Sequence, residues 1–132
     1  MKLITRDTDY ALRAVCFIAR SKKEIVSVSE LVKRLKIPRP FLRKILQVLN
    51  KKGLLRSYRG IGGGFSLSRK PDEIFLTGLM AIFQGPLKLN ECTFKKEICP
   101  NKKKCILSRR IEAIERFVVS ELKNITIESL LK

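Results

Sequence analysis

The chain contains no histidine, and only 12 of its 132 residues are acidic. Histidine is the most frequent general base in enzymes and the commonest metal ligand, so its absence removes both roles at once. The few acids are scattered along the chain and form no pair suited to acid–base catalysis. We therefore expect a protein that is not an enzyme and has no small-molecule substrate.

Long apolar runs are also missing. No segment is long and apolar enough to span a bilayer, and the N-terminus leads directly into an amphipathic stretch instead of a signal peptide. We therefore expect a cytoplasmic protein with no membrane partner. The cytosol is reducing, so cysteines there normally stay as thiols.

Positive charge, by contrast, is abundant. Lys and Arg number 29, which gives a formal net charge of +17. Such a charge implies an anionic partner, with nucleic acid ahead of a membrane surface. Hydrophobic residues make up 45% of the chain, which excludes a wholly disordered basic tail, and 132 residues suffice for one domain with a modest core.

Apolar periodicity and capping signals predict three helices in the first half of the chain. The first covers residues 8–20, with Asp7 or Thr8 as its cap. The second opens at a capping box formed by Ser27 and Glu30, and it ends near residue 37 because two prolines follow. The third begins at Pro40 and ends at Gly53. Its predicted buried face consists of Phe41, Leu42, Ile45, Leu46 and Leu49.

A two-stranded hairpin is predicted directly after the third helix. Its strands are residues 54–58 and 65–68, and the glycine-rich segment between them can only form a turn or a close approach of bare backbone. A hairpin that follows two short helices joined by a tight turn is a wing. The predicted fold is therefore mostly α with a small β wing, a winged helix-turn-helix.

The outer face of the third helix is the candidate DNA-binding surface. Arginine and glutamine make paired hydrogen bonds to base edges in the major groove, while lysine contacts phosphates. On the wing, Arg59 beside Gly60 is placed to enter a minor groove. A merely solvated basic face is the plain alternative, but its coincidence with this fold favours double-stranded DNA. The predicted contact residues are Arg39, Arg43, Lys44, Gln47, Arg56, Arg59 and Gly60.

The second half of the chain predicts a short helix over 78–84 capped by Thr77, a cysteine-bearing loop over 87–105 and a long helix over 106–123. A last short helix over 127–131 is capped by Thr126. The long helix has apolar positions spaced alternately by four and three residues, which makes a seam suited to another helix. This seam consists of Leu107, Ile111, Ile114 and Val118.

The loop carries Cys92, Cys99 and Cys105, separated by six and five residues. This spacing matches neither paired zinc knuckles nor a redox motif of two close cysteines, and it suits a loop that wraps a bulky cofactor. Three thiolates leave an iron–sulfur cluster one ligand short of four. Cys16 stands apart and is expected to be a small buried apolar residue. The oxygen candidates for the fourth ligand are Asp7, Asp9, Glu91, Glu97 and Ser108.

Three other interpretations of the same cysteines stay open. The thiols could form a disulfide switch without a cofactor. The protein could be a zinc-containing, basic RNA-binding protein of ribosomal type, although this leaves the seam on the long helix unexplained. It could also be an iron–sulfur electron carrier or enzyme, although the chain offers no catalytic base.

Taken together, several segments resemble bacterial winged-helix repressors of the IscR, NsrR and RirA type. The resemblance is carried by residues 8–13, 37–49, 59–65 and 124–127 and by the three spaced cysteines. It implies a homodimer crossed through the long helix, recognition helices in major grooves, wings in minor grooves, and a cluster held by Cys92, Cys99 and Cys105. It also implies a domain order of 1–86 for DNA binding, 87–105 for the cluster loop and 106–132 for dimerisation.

Two departures from the IscR-type pattern narrow these expectations. IscR-type members hold a 2Fe–2S cluster with a histidine just after the third cysteine, where this chain has Ser108. NsrR-type members hold a 4Fe–4S cluster with an aspartate from the partner subunit, and Asp9 falls at that position. The resemblance thus favours 4Fe–4S over 2Fe–2S with Asp9 as fourth ligand, although an acid here also suits the helix dipole. Arg43 replaces an IscR-type glutamate, so that branch's operator preference is not expected. The expected function is transcriptional repression controlled by nitric oxide, redox state or iron.

Overall fold

The computed structural model describes residues 2–89 and 105–131, and they form mainly helices and one small antiparallel sheet. This confirms the predicted fold class. The elements in chain order are α1 (Arg6–Arg20), α2 (Val28–Leu35), α3 (Arg39–Lys51), β1 (Leu55–Tyr58), β2 (Gly64–Leu67), α4 (Leu76–Phe83), α5 (Ile106–Leu122) and α6 (Ile127–Leu130), with a 3₁₀ turn at Pro71–Glu73 before α4.

The main core lies between α1, α2 and α3, because each presents one apolar stripe of helical period to the others. Charged residues lie on the outward side of each helix, opposite its apolar stripe. Burial of the stripe therefore fixes the rotation of each helix about its own axis. The buried side chains of the three helices include Ala11, Ala14, Val15, Ile18, Leu31, Leu42, Ile45, Leu46 and Leu49.

A tight turn joins α2 to α3. Ser27 caps α2 as predicted, accepting a hydrogen bond from the Glu30 backbone N–H at 3.1 Å. The Glu30 carboxylate does not complete the predicted box and instead accepts from the Lys23 ammonium at 3.3 Å. The helix ends at Leu35, slightly before the predicted position, because Lys36 adopts a left-handed conformation with φ 56°. Ile37 then turns into the core, and α3 begins one residue before Pro40. The two helices form the predicted helix-turn-helix.

The wing hairpin pairs Leu55 with Leu67 and Tyr58 with Gly64. Its second strand also bonds to the segment before α2, where the backbones of Val26 and Phe65 exchange two hydrogen bonds of 2.9 and 2.8 Å. Gly64 is required at this contact, because a Cβ there would collide with the Val26 carbonyl. The predicted close approach of bare backbone is therefore made to the protein's own chain.

Two predicted caps are wrong. The cap of α1 is Thr5, and Thr8 is fully buried one turn into the helix. Helix α4 starts at Leu76, with Phe75 preceding it, so Thr77 lies inside the helix. The tertiary structure sets this earlier start, because the Leu76 N–H donates to the Ile125 carbonyl at 3.0 Å and its side chain is buried.

The last two helices differ in burial. Of α5, only Leu122 is fully buried, in a small second cluster with Leu76 and Met80 of α4. Helix α6 returns to the main core through Ile127, and Thr126 caps it as predicted, in a reciprocal box with Ser129. None of the described helices is long and apolar enough to cross a bilayer.

Candidate nucleic-acid interface and cysteine site

The exposed face of α3 carries every residue predicted for it. Leu42, Ile45, Leu46 and Leu49 are buried, and the helical period therefore turns the intervening polar residues outward. Arg39 is also fixed towards α2, since its guanidinium donates to the Ser29 hydroxyl at 3.2 Å. The exposed polar residues are Arg39, Arg43, Lys44, Gln47, Asn50 and Lys51.

The prediction that Phe41 belongs to the buried face of α3 is wrong. Its side chain is 45% exposed, because it lies about 100° around the helix from Leu42. The guanidinium carbon of Arg6, at the start of α1, lies 4.9 Å from the centre of its ring. Arg6 was not among the predicted site residues. The sequence feature that could have identified Arg6 is a cation in the first turn of a helix, where the helix dipole favours acidic residues.

The wing presents its predicted arginines to solvent. Arg56 lies in β1 opposite Ser66, and Arg59 and Gly60 begin the exposed tip. The Gly63 N–H donates to the Gly60 carbonyl at 3.0 Å, which closes the turn. Ile61 stands fully exposed between them and was not predicted as a site residue.

Cys105 is the one member of the cysteine triad within the described residues, whereas Cys92, Cys99, Glu91 and Glu97 lie outside them. Cys105 caps α5, and its sulfur accepts a hydrogen bond from the Ser108 N–H at 3.4 Å. Cysteine sulfur is a ligand for zinc and for iron–sulfur clusters. Held at the first turn of α5, the Cys105 sulfur therefore fits a metal or cluster ligand.

Asp9 lies in the first turn of α1 and pairs with Arg13 at 3.1 Å. Both side chains are substantially exposed, so this pair contributes little to stability. The Asp9 carboxylate therefore stays accessible to a metal or cluster held by other residues. Asp7 lies 3.9 Å from Arg6. Within 2–89 and 105–131, no three cysteine or acidic side chains gather closely enough to hold a metal ion. A site at Asp9 or Cys105 therefore needs ligands from elsewhere.

Cys16 is half-buried and packs against the main core, close to the apolar role expected for it. Burial raises the pKa of its thiol, although Arg20 acts in the opposite direction. It faces a shallow cavity of about 330 Å³ that is lined mainly by apolar side chains. Cys16 is therefore a poor thiolate and a poor candidate ligand.

The predicted seam on α5 is largely uncovered in the single chain. Leu107 and Ile114 are exposed, and Ile111 and Val118 are half-buried. Ile106 and Phe117 extend the exposed apolar surface along the same helix. The helix also carries three arginines and three glutamates, so it is charge-balanced in a strongly basic chain.

A helix-turn-helix with a basic exposed second helix and a glycine-tipped hairpin defines the class of winged-helix DNA-binding proteins. Residues 4–132 match the family described as Rrf2, iron-dependent transcriptional regulator, and the chain belongs to this family. It is a transcription regulator and not an enzyme, as the sequence predicts.

Individual relatives agree with this assignment. The chain is 33% identical over 124 residues to an Aquifex aeolicus protein described as an HTH-type transcriptional regulator, covering 92% of this chain and 86% of the relative. Two solved structures share the fold at 23% identity. One is T. potens IscR, with a TM-score of 0.77 over 99% of this chain and 86% of the other. The second is CymR, the global cysteine regulator of B. subtilis, with a TM-score of 0.75 over 99% and 97%.

Proposed function

We propose that this protein is a homodimeric repressor whose affinity for operator DNA is controlled by an iron–sulfur cluster. The observation that carries the proposal is the position of Cys105, which caps the long helix α5 and whose sulfur accepts a hydrogen bond from a backbone N–H. The ligand set is Cys92, Cys99 and Cys105, with the partner subunit's Asp9 as the fourth ligand of a 4Fe–4S cluster. The description of the family as iron-dependent supports this proposal.

The DNA contacts are divided between α3 and the wing. Arg43 and Gln47 read base edges in the major groove, Lys44 and Arg39 bind phosphates, and Arg59 with Gly60 enters a minor groove. Arg56, in β1, contributes a further DNA contact from the wing. All of these side chains are exposed, which is what direct contact requires.

Dimerisation uses the seam on α5. Four large apolar side chains of this helix are exposed, a large number for a helix of 17 residues. Residues 1–86 then form the DNA-binding part, 87–105 the cluster loop and 106–132 the dimerisation part, from which α6 returns to the core. Because α5 carries balanced charges, two copies meet less local repulsion along it than along a basic surface of the chain.

When bound, the cluster would supply chemistry sensitive to nitric oxide, redox state and iron supply. The chain's own residues provide the connection from the cysteine loop to the DNA-binding part. Gln84 ends α4 just before the loop. Its side-chain amide oxygen Oε1 accepts hydrogen bonds from the Thr5 N–H at 3.1 Å and from the Thr8 hydroxyl at 2.7 Å. Both threonines stand at the start of α1, beside Asp9. A change at the N-terminal end of the loop would therefore be transmitted to the first turn of α1 through Gln84.

A second candidate is a regulator of the same fold in which the thiols act without a cofactor. Cys105 is a free cysteine and is only half-buried, and cysteine sulfur is the site of oxidation as well as of metal binding. The fold likeness to CymR, described as a cysteine regulator, is consistent with this alternative.

The deciding experiment is an iron and sulfide assay on anaerobically purified protein, together with its visible spectrum. About four iron and four sulfide per chain support the 4Fe–4S proposal, and about two of each indicate a 2Fe–2S site. Colourless, iron-free protein would eliminate the cluster and leave the cofactor-free candidate.

Matched variants assign the ligands. Cys99→Ala and Cys105→Ala should lose the iron, Asp9→Ala should hold it less well, and Cys16→Ala should keep it because Cys16 packs against the core. Retention of full iron by Cys99→Ala would contradict the proposed ligand set. A second assay uses duplex DNA that the wild-type protein selects from a random library. Cluster loss should change the affinity of the wild-type protein for this duplex. The same treatment should leave the affinity of Cys99→Ala unchanged.

A further inference from the structure

We propose that Arg6, held over the ring of Phe41, makes an additional DNA contact by binding a backbone phosphate beside the start of α3. This contact lies outside both the recognition helix and the wing. It rests on the proposed operator binding by α3, because Phe41 belongs to the first turn of that helix.

Arg6 gains little from its own helix. It is the first residue of α1, where the partial positive charge of the helix N-terminus disfavours a cation. Its ion pair with Asp7 is long, at 3.9 Å, and both side chains are more than half exposed, so the pair contributes almost nothing. The position of Arg6 is therefore not explained by the stability of α1.

Phe41 is equally unusual where it stands. A large aromatic side chain that is 45% exposed buries little apolar surface, although the same helix buries four aliphatic residues completely or nearly so. Its ring instead provides a flat platform at 4.9 Å from the Arg6 guanidinium carbon. The pair therefore connects the start of α1 to the start of α3.

Contact with the ring leaves the guanidinium able to bind a phosphate. The cation is attracted to the ring by its charge, so this contact does not use up the N–H donors. A guanidinium restrained in this way loses less conformational entropy when it forms paired hydrogen bonds to a phosphate. Lys44 is exposed one turn after Phe41, on the neighbouring side of the same helix, so a DNA backbone bound by Lys44 would pass close to Arg6.

The test measures how DNA affinity depends on salt, using the anaerobically purified full chain. The probes are a duplex selected by the wild-type protein from a random library and a scrambled duplex of equal length. Each phosphate contact contributes about 0.9 to the slope of log affinity against log salt, so Arg6→Ala should reduce the slope by about 1.8 for a dimer. The loss should be equal on both duplexes, because phosphates carry no sequence information.

Phe41→Leu keeps an apolar side chain but removes the platform, and it should reduce the slope in the same direction. Combined with Arg6→Ala it should add no further loss, because both changes remove one contact. Loss of affinity by Phe41→Leu on the selected duplex alone would overturn the positioning role, since it would show that Phe41 itself reads a base. The charge-matched control is Lys22→Ala, an exposed residue just beyond the opposite end of α1, which should leave the slope unchanged.

Thermal unfolding of each variant excludes loss of fold as the cause. An unchanged slope for Arg6→Ala, or an equal change for Lys22→Ala, overturns the Arg6 contact while leaving operator binding in place. A wild-type protein that enriches no duplex from the library overturns the proposed function itself, so the two failures are distinguishable.

Discussion

A single glutamine joins parts of the chain that lie about 80 residues apart in sequence. Gln84 accepts from Thr5 and Thr8 and donates to the Leu3 carbonyl at 3.0 Å. Replacing it with methionine keeps the side-chain volume but leaves the buried Thr8 hydroxyl without this acceptor. We expect Gln84→Met to lower the free energy of unfolding by roughly 1–3 kcal/mol, measured by urea denaturation.

Gln47→Met is the matched control for that prediction. Gln47 is exposed on α3, and exposed substitutions usually change stability by less than about 0.5 kcal/mol. The control should therefore unfold like wild type. Equal destabilisation by both variants would mean that loss of an amide, and not of this hydrogen-bond network, is the cause.

Replacing either of two glycines with alanine should change the free energy of unfolding in opposite directions, because the two glycines occupy different elements. Gly64 begins β2 with φ 156°, and a Cβ there would collide with Val26 backbone atoms, so its replacement pushes the wing away from the segment before α2. Gly78 lies in helix α4 with nothing within 4 Å of where a Cβ would stand. Gly64→Ala should cost more than about 2 kcal/mol, while Gly78→Ala should stabilise by about 0.5–1 kcal/mol.

Urea denaturation of both variants checks this pair, and each serves as the control for the other. If both changed stability in the same direction, the close approach of β2 to Val26 would not be the reason for Gly64. The hairpin also gives a local readout, because Gly64→Ala should speed hydrogen exchange at the Phe65 amide, whose bond to Val26 it disrupts.

The same elements show what local sequence determines. Ser27 and Thr126 are caps whose hydrogen bonds stay within one turn, and both are predicted correctly. Thr8 has the same capping hydroxyl as Thr5, but its hydroxyl is buried and donates to Gln84, 76 residues away in sequence. The helix therefore begins before Thr8, with Thr5 as its cap. The early start of α4 likewise depends on Ile125. Local signals thus located the elements, while long-range contacts moved their ends.

The candidate site follows the same division. The outward face of α3 is set by period alone, so its exposed polar residues could be named from the sequence. The pairing of Arg6 with Phe41 joins two helices and could not be predicted from either one. Among the cysteines, the sequence identified the triad, whereas the N–H contact at Cys105 depends on where α5 begins.

At the level of the whole molecule, charge and apolar surface oppose each other. A chain with a net charge of +17 repels a second copy of itself, and DNA relieves that repulsion only where it binds. The charge-balanced α5, with its exposed apolar side chains, is the described surface best suited to self-association. Dimerisation through it would place two recognition helices on one DNA, so that a weak contact by each becomes a strong one by both.

Ile114→Glu tests this arrangement. Ile114 is 55% exposed in the single chain, so the fold of each protomer should be unaffected, while a charge in an apolar seam should be strongly unfavourable. Ile61→Glu makes the same change at the fully exposed wing tip. It is the matched control for sedimentation alone, because the tip is itself a proposed DNA contact. Sedimentation at moderate salt should show monomers for Ile114→Glu and dimers for wild type and Ile61→Glu. The monomer should also bind the selected duplex at least 100-fold more weakly, as loss of the second recognition helix requires. A dimeric Ile114→Glu would place the interface elsewhere, and a monomer with full affinity would show that one recognition helix is sufficient.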